Sequence, residues 1–177
     1  MNNIKNGYVI VHTSAFDGDV SLEEIYRWHT NPAVLPNNKL RYKGNVYNND
    51  NELPYKVRNQ RGNGWMDIGY HVVIRYNGEL EFGRAYTSSG AHCRDMGMNS
   101  KSIGVCFSGH GDIRDFTKEQ KNSFQLWYND VAYKKYNILV KNVWGHRETG
   151  ANKTCPGTKV SMDNLRRNLN IRFFGTL

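Results

Sequence analysis

No run in this 177-residue chain is long and apolar enough to span a bilayer. Its opening, MNNIKNGYVIVHTSAF, also lacks the charged start, long apolar middle and small-residue cleavage site of a secretory signal. The expectation is a soluble product of the cytoplasm, with no membrane insertion. Cysteine is scarce: Cys93, Cys106 and Cys155 form an odd set at irregular spacing, which argues against a disulfide framework in a chain of this size. Acidic residues are outnumbered, 16 against 24 Lys and Arg, so the formal charge is +8. That surplus attracts polyanions, whether nucleic acid, anionic lipid or the acidic polymers of a bacterial surface, or it serves solubility alone. A nucleic-acid binder would carry a basic helix or an aromatic-studded basic sheet face, and neither is present, so no specific nucleic-acid partner is expected.

What is present is material for one core. The length suits a single domain over residues 1–177, and the 12% aromatic share supplies bulky side chains that disordered chains lack. YVIVHTSAF (8–16) reads as a buried strand with His12 near its C-terminal end, followed by a helix over VSLEEIYRWH capped by Asp19 or Ser21. Residues 31–64 then break the rhythm. They hold three of the four prolines and Lys39, Arg41, Lys43, Lys56, Arg58 and Arg61 against Asp50 and Glu52. This is a long basic insertion with a short hairpin around Lys43 to Tyr47, and a loop of that length is more often functional than idle.

Residues 65–86 form two alternating runs joined at Asn77-Gly78, a dipeptide suited to a type I′ hairpin. SIGVCFSG (102–109) is a second buried strand. A long helix over 116–136 opens on Thr117 with Gln120 completing a capping box, and it turns Phe124, Trp127, Tyr128 and Val131 to one face. NILVKNVWGH is the last strand, and SMDNLRRNL is a closing helix capped by Ser161. Strands and helices interleave, so the fold class is α/β: a mixed central sheet with helices packed on it.

His12 and His146 each end a strand, and Cys155 lies on the Gly-containing loop after His146, where α/β sheets present their sites. Two imidazoles and a thiolate suit zinc, with a fourth position left for water. His-x₈-Cys is a weak motif when taken alone.

Five blocks in order strengthen it: VHTSA (11–15), GWMDIGYHVVI (64–74), GAH with NSKSIGVCFSG (90–109), GHRE (145–148) and KTCPG (153–157). Together, over roughly residues 8–170, the chain resembles the zinc N-acetylmuramoyl-L-alanine amidases, a family that includes phage endolysins and peptidoglycan recognition proteins. The resemblance implies Zn²⁺ held by His12, His146 and Cys155, with Tyr70 and Lys153 at the reacting centre. It implies hydrolysis of the bond between N-acetylmuramic acid and L-alanine in peptidoglycan, by a monomer that is stored in the cytoplasm and reaches the wall through a separate membrane lesion. Zinc would supply an acidified water and polarise the carbonyl. A Lys153 ammonium or a Tyr70 hydroxyl would stabilise the oxyanion by a few kcal/mol, about one oxyanion-hole donor.

His92 in GAH is a candidate substrate contact or support for a ligand, and Arg84 a candidate contact to an acidic group of the stem peptide, against the default reading of an ordinary surface arginine. Histidines at strand ends and on helix faces are more often hydrogen-bonded packing residues, which is the reading for His71, turned by alternation away from Tyr70, and for His29. Cys106 reads as a small buried hydrophobe and Cys93 as a bystander. The competing reading is a non-catalytic peptidoglycan-binding module on the same fold. Cys155 weighs against it, because binding-only relatives generally lose the thiolate. The insertion at 31–64 exceeds the helix-to-strand link of shorter endolysins.

Overall fold

The computed structural model describes residues 4–170, so the chain ends at 1–3 and 171–177, included in the expected domain, lie outside it. Strand β1 (Tyr8–Thr13) is buried along most of its length and leads to helix α1 (Leu22–Thr30). Ser21, not Asp19, caps that helix, in a reciprocal capping box with Glu24. Asp19 instead accepts from Arg75 at 2.8 Å and from the Tyr76 N–H at 2.9 Å, which ties the loop before α1 to a neighbouring hairpin.

The basic insertion is ordered. It holds a small antiparallel sheet of β2 (Ala33–Val34), β3 (Leu40–Tyr42) and β4 (Asn45–Tyr47), turning at Lys43 and Gly44, both with positive φ. Two short 3₁₀ turns follow, at Asp50–Glu52 and Tyr55–Val57. Helix ends leave carbonyls without intrahelical partners. Here the Asn63, Gly64 and Trp65 N–H groups donate to the carbonyls of Trp28, Asn31 and His29, so the far end of the insertion caps the helix from which it departs. Asp50 then clips the interior by pairing with Arg61 at 2.6 Å and accepting from the Asn59 N–H.

The expected hairpin is β5 (Val72–Ile74) with β6 (Leu80–Phe82), shorter than its sequence runs. Strand β7 (Ser102–Phe107) is fully buried. Helix α2 (Lys118–Trp127) begins at Thr117 with Gln120 in a capping box and passes into a π-helical segment at Tyr128–Tyr133, so the expected long helix changes pitch midway. Strand β8 (Val143–Gly145) is only three residues, because Val140–Asn142 forms a 3₁₀ turn. Helix α3 (Met162–Asn170) closes the described chain.

The main sheet runs β6-β5-β7-β1-β8, parallel except for the β6 edge. Val9, Val11, Val72, Ile74, Val105 and Val143 face the larger core, with Phe124, Trp127 and Leu165 from α2 and α3. The opposite face carries Val73 and Cys106 against Ile25 of α1, and Ile10 against Cys93 and Met98. His12 shares that second face, since it pairs laterally with Cys106 and alternates with Val11.

Candidate metal centre

The two histidines meet through strand register. Val11 is paired with Gly145 in parallel strands, so the next residue of each, His12 and His146, emerges at the same sheet end, with ring centroids 4.6 Å apart. His146 opens a 3₁₀ turn whose start is held by the Gly145 N–H donating to Glu148 at 2.6 Å, with Glu148 paired to Arg166. Thr149 donates to the His146 carbonyl at 2.7 Å.

Cys155 is brought back to this point by Arg147. The Arg147 N–H donates to the Cys155 carbonyl at 2.7 Å, and its guanidinium donates to the carbonyls of Gly157 and Val160 at 2.6 and 2.7 Å. The Cys155-Pro156 peptide is cis. Gly157, at φ +122°, lies against Gly111 so closely that a Cβ on either would overlap backbone of the other segment. Asp112 fastens the same loop, accepting from the Thr158 N–H at 2.6 Å and from the Thr154 hydroxyl at 3.0 Å.

One donor atom each from His12, His146 and Cys155 lies within 4.8 Å of the others. The His12 Nδ1 to Cys155 Sγ distance is 3.7 Å. Tetrahedral zinc with its usual Zn–N and Zn–S bonds would separate those atoms by about 3.6 Å. The set therefore fits zinc in chemistry, and the His12–Cys155 pair fits it in spacing. His12 Nε2 lies 3.1 Å from His92 Nδ1, so a proton on Nε2 leaves Nδ1 as the lone-pair nitrogen. Burial, then His92 and His146, hold the His12 pKa well below its usual value, and burial with Lys153 lowers that of His146. Both rings are thus neutral donors at pH 7. Burial pushes the Cys155 thiol up, while the Thr13 backbone, Lys153 and Arg147 pull it back.

The Tyr70 ring lies 5.1 Å from that of His12. Its pKa is raised well above the usual phenol value by burial, then by Cys106 and Cys155 nearby, so it stays a hydroxyl donor. Lys153 is exposed on the loop before Cys155, and its charge is felt at His12, His146 and Cys155. His92 sits over Gly104 of β7, where a Cβ would overlap the imidazole. Burial, followed by His71 and His146, lowers its pKa strongly.

Arg84 is drawn inward. It donates to the Ile68 carbonyl at 2.9 Å and to the Ser89 carbonyl, leaving its side chain 17% exposed. His71 is a hydrogen-bonded core residue as expected, accepting from the Gly104 N–H at 3.0 Å and contacting the Ser88 carbonyl through Nε2 at 3.1 Å. The alternation expected to separate it from Tyr70 does not apply, because β5 begins only at Val72 and both rings approach His92. His29 packs as expected and also accepts the Gly69 N–H at 2.9 Å. Arg147, Asp112, Gly111 and Gly104 support the site without having stood out in the sequence; only the close spacing of Arg147 between His146 and Cys155 hinted at its role.

The parallel strands of the sheet open at their C-terminal ends onto two neutral imidazoles, a thiol and a tyrosine, a donor set of the kind that holds a metal ion. Residues 5–158 match the family model described as N-acetylmuramoyl-L-alanine amidase, and the chain belongs to that family. It is 31% identical over 155 residues to the endolysin of Klebsiella phage KP32, covering 84% of this chain and 78% of the relative. It is 33% identical over 97 residues to peptidoglycan-recognition protein SC2 of Drosophila melanogaster, covering 55% of this chain and 51% of the relative, so the match spans about half that protein's length. In fold it resembles the N-acetylmuramoyl-L-alanine amidase LysC of Clostridium intestinale, at a TM-score of 0.67, 21% identity, and coverage of 97% of this chain and 90% of that one. A bumblebee peptidoglycan recognition protein, PGRP-SA, gives a TM-score of 0.63 at 21% identity, covering 90% and 80%.

Proposed function

We propose that this chain is a zinc-dependent amidase that cleaves the bond between N-acetylmuramic acid and L-alanine in peptidoglycan, acting on the bacterial wall in the manner of a phage endolysin. The observation that carries the reading is the convergence of His12, His146 and Cys155 donors within 4.8 Å beside Tyr70, in a chain of the amidase family. No helix among the described residues is long and apolar enough to cross a membrane. The net charge of +8 favours dwelling on an anionic envelope. The domain acts as a monomer in this reading, with the 31–64 insertion as part of it.

Zinc, when bound, supplies Lewis acidity toward the scissile carbonyl and an acidified water. The chain's own groups do the rest. His12 and His146 offer neutral nitrogens, and Cys155 offers the sulfur that gives up its proton on metal uptake. Tyr70 keeps its hydroxyl proton at neutral pH and in this reading donates to the oxyanion or passes a proton to the departing amine. Lys153 supplies a positive charge on the open side, worth about 3 kcal/mol if it acts as one oxyanion donor. His92 holds the His12 tautomer, and Arg84, whose Nε and one terminal nitrogen brace the Ile68 and Ser89 backbone, has its other terminal nitrogen for an acidic group of the stem peptide.

The test is product analysis of digested wall by mass spectrometry. Free stem peptides with an L-alanine amino terminus and uncut glycan strands are the expected products. New reducing sugar ends with the peptides still attached would show a glycosidase. Binding to wall without any release would favour the non-catalytic module.

A further inference from the structure

Asp95 stands outside the three-residue donor set, yet its Oδ2 lies 3.5 Å from His146 Nε2. That nitrogen is fully buried and has no hydrogen-bond partner among the described residues. A buried ring N–H left unpaired costs about 1–3 kcal/mol. The Asp95 carboxylate is the nearby group able to relieve it, and a half-ångström shift of a side chain 44% exposed completes the bond.

The segment carrying Asp95 is held in place. The Asn99 side-chain oxygen accepts both the His92 and the Cys93 N–H at 2.8 Å. Met98 is buried against Ile10 and Cys93, and Lys101 Nζ reaches the Met96 carbonyl at 3.1 Å. Met96 and Gly97, at φ +52° and +66°, turn the chain sharply just beyond Asp95. His12 is backed in a parallel way, its Nε2 facing His92 Nδ1.

We propose that Asp95 is a positioning residue for the metal: its carboxylate accepts the Nε2–H of His146 and so leaves Nδ1 as the lone-pair nitrogen for the ion. The proposal rests on the zinc reading above. Metal-bound histidines commonly donate their second N–H to a carboxylate, which fixes the ring and raises its basicity. The two ligand imidazoles then differ, one backed by a neutral ring and the other by an anion.

Cys93 sharpens the test, because its Sγ, Asp95 and His146 also bring donor atoms within 4.8 Å of one another. A second ion there is the rival outcome. The experiment uses the full chain with Asp95→Ala and Asp95→Glu, measuring zinc stoichiometry and affinity by competition with a chromophoric chelator and the absorption spectrum of the cobalt-substituted protein. The expected result is one zinc per chain, a 10- to 100-fold weaker affinity in Asp95→Ala, recovery of most of it in Asp95→Glu, and an unchanged thiolate-to-cobalt band in both variants. Unaltered affinity in Asp95→Ala overturns the proposal. So does a second zinc in the parent protein that Asp95→Ala and Cys93→Ser each remove. Failure of the underlying reading looks different: the parent protein takes up no zinc, or Cys155→Ser keeps both the affinity and the cobalt band.

Discussion

His29 offers a stability test whose size follows from the structure. Its Nδ1 accepts the Gly69 N–H at 2.9 Å, one residue before Tyr70, and its ring lies 4.7 Å from that of Trp65. Burial, with Arg84 adding to it, lowers its pKa to about 4. In the unfolded chain the value returns to about 6.5. The folded state therefore prefers the neutral ring, and the associated stability is fully present above pH 6.5 and is lost as pH falls toward 4. Between pH 7.5 and pH 5 the loss is about 2 kcal/mol, and below pH 4 it levels off near 3 kcal/mol. His29→Asn keeps an acceptor near the Nδ1 position and abolishes the titration. Urea unfolding followed by tryptophan fluorescence, on metal-stripped parent and variant at several pH values, reads the effect. The variant starts about 1 kcal/mol below the parent at pH 7.5 through lost ring contacts, and by pH 5 the order reverses as the parent loses about 2 kcal/mol more than the variant. His12, His71, His92 and His146 shift in the same direction and steepen both curves alike, so the difference between the curves isolates His29. A difference that stays constant from pH 7.5 to 5 would refute the argument.

The site makes three further predictions. Cys155→Ser abolishes wall lysis and lowers bound zinc, while Lys153→Ala keeps zinc and loses about 10²- to 10³-fold in kcat, the worth of one oxyanion donor; zinc content and turbidity assays separate the two, and a zinc-poor Lys153→Ala would place that lysine among the supports of the metal. A chelator halts lysis, zinc restores it, and zinc at about 1,000 times its Kd raises unfolding stability by about 4 kcal/mol; an unshifted melting curve would count against a native-state site. Gly104→Ala drives a methyl into the His92 ring, costs about 1–3 kcal/mol in stability and weakens zinc uptake through the loss of support for His12; full affinity in a folded variant would show that His92 contributes nothing to the metal.

Legibility in the sequence followed the range of each interaction. The β1 run and the Ser21 and Thr117 caps are local signals, and each appears where its pattern places it; the hairpin also turns at Asn77-Gly78, but not as type I′, because only Gly78 has a positive φ, at +85°, and its N–H donates to the Arg75 carbonyl. Strand β8 is shorter than its apolar run because Val140–Asn142 turns to meet a distant partner, the Asn142 side chain donating to the Gly7 carbonyl at 3.0 Å. The order of residues 31–64 left no signature, since the bonds anchoring it are backbone N–H groups of 63–65 meeting carbonyls at the end of α1, and any residue but proline could supply them. In the candidate site, His12, Tyr70, His146 and Cys155 stand out as chemistry-bearing residue types in ordered blocks, whereas the pairing that brings His12 to His146, Val11 with Gly145, is a register between apolar positions 134 residues apart that no local pattern encodes. Supports such as Arg147 and Asp95 act on backbone carbonyls or on a ring's far nitrogen, so their side chains resemble ordinary surface charge until the fold closes around them. The same holds for Arg84, whose bonds to the Ile68 and Ser89 carbonyls leave no mark on the local sequence and make it a half-buried brace where an ordinary surface arginine is the default reading.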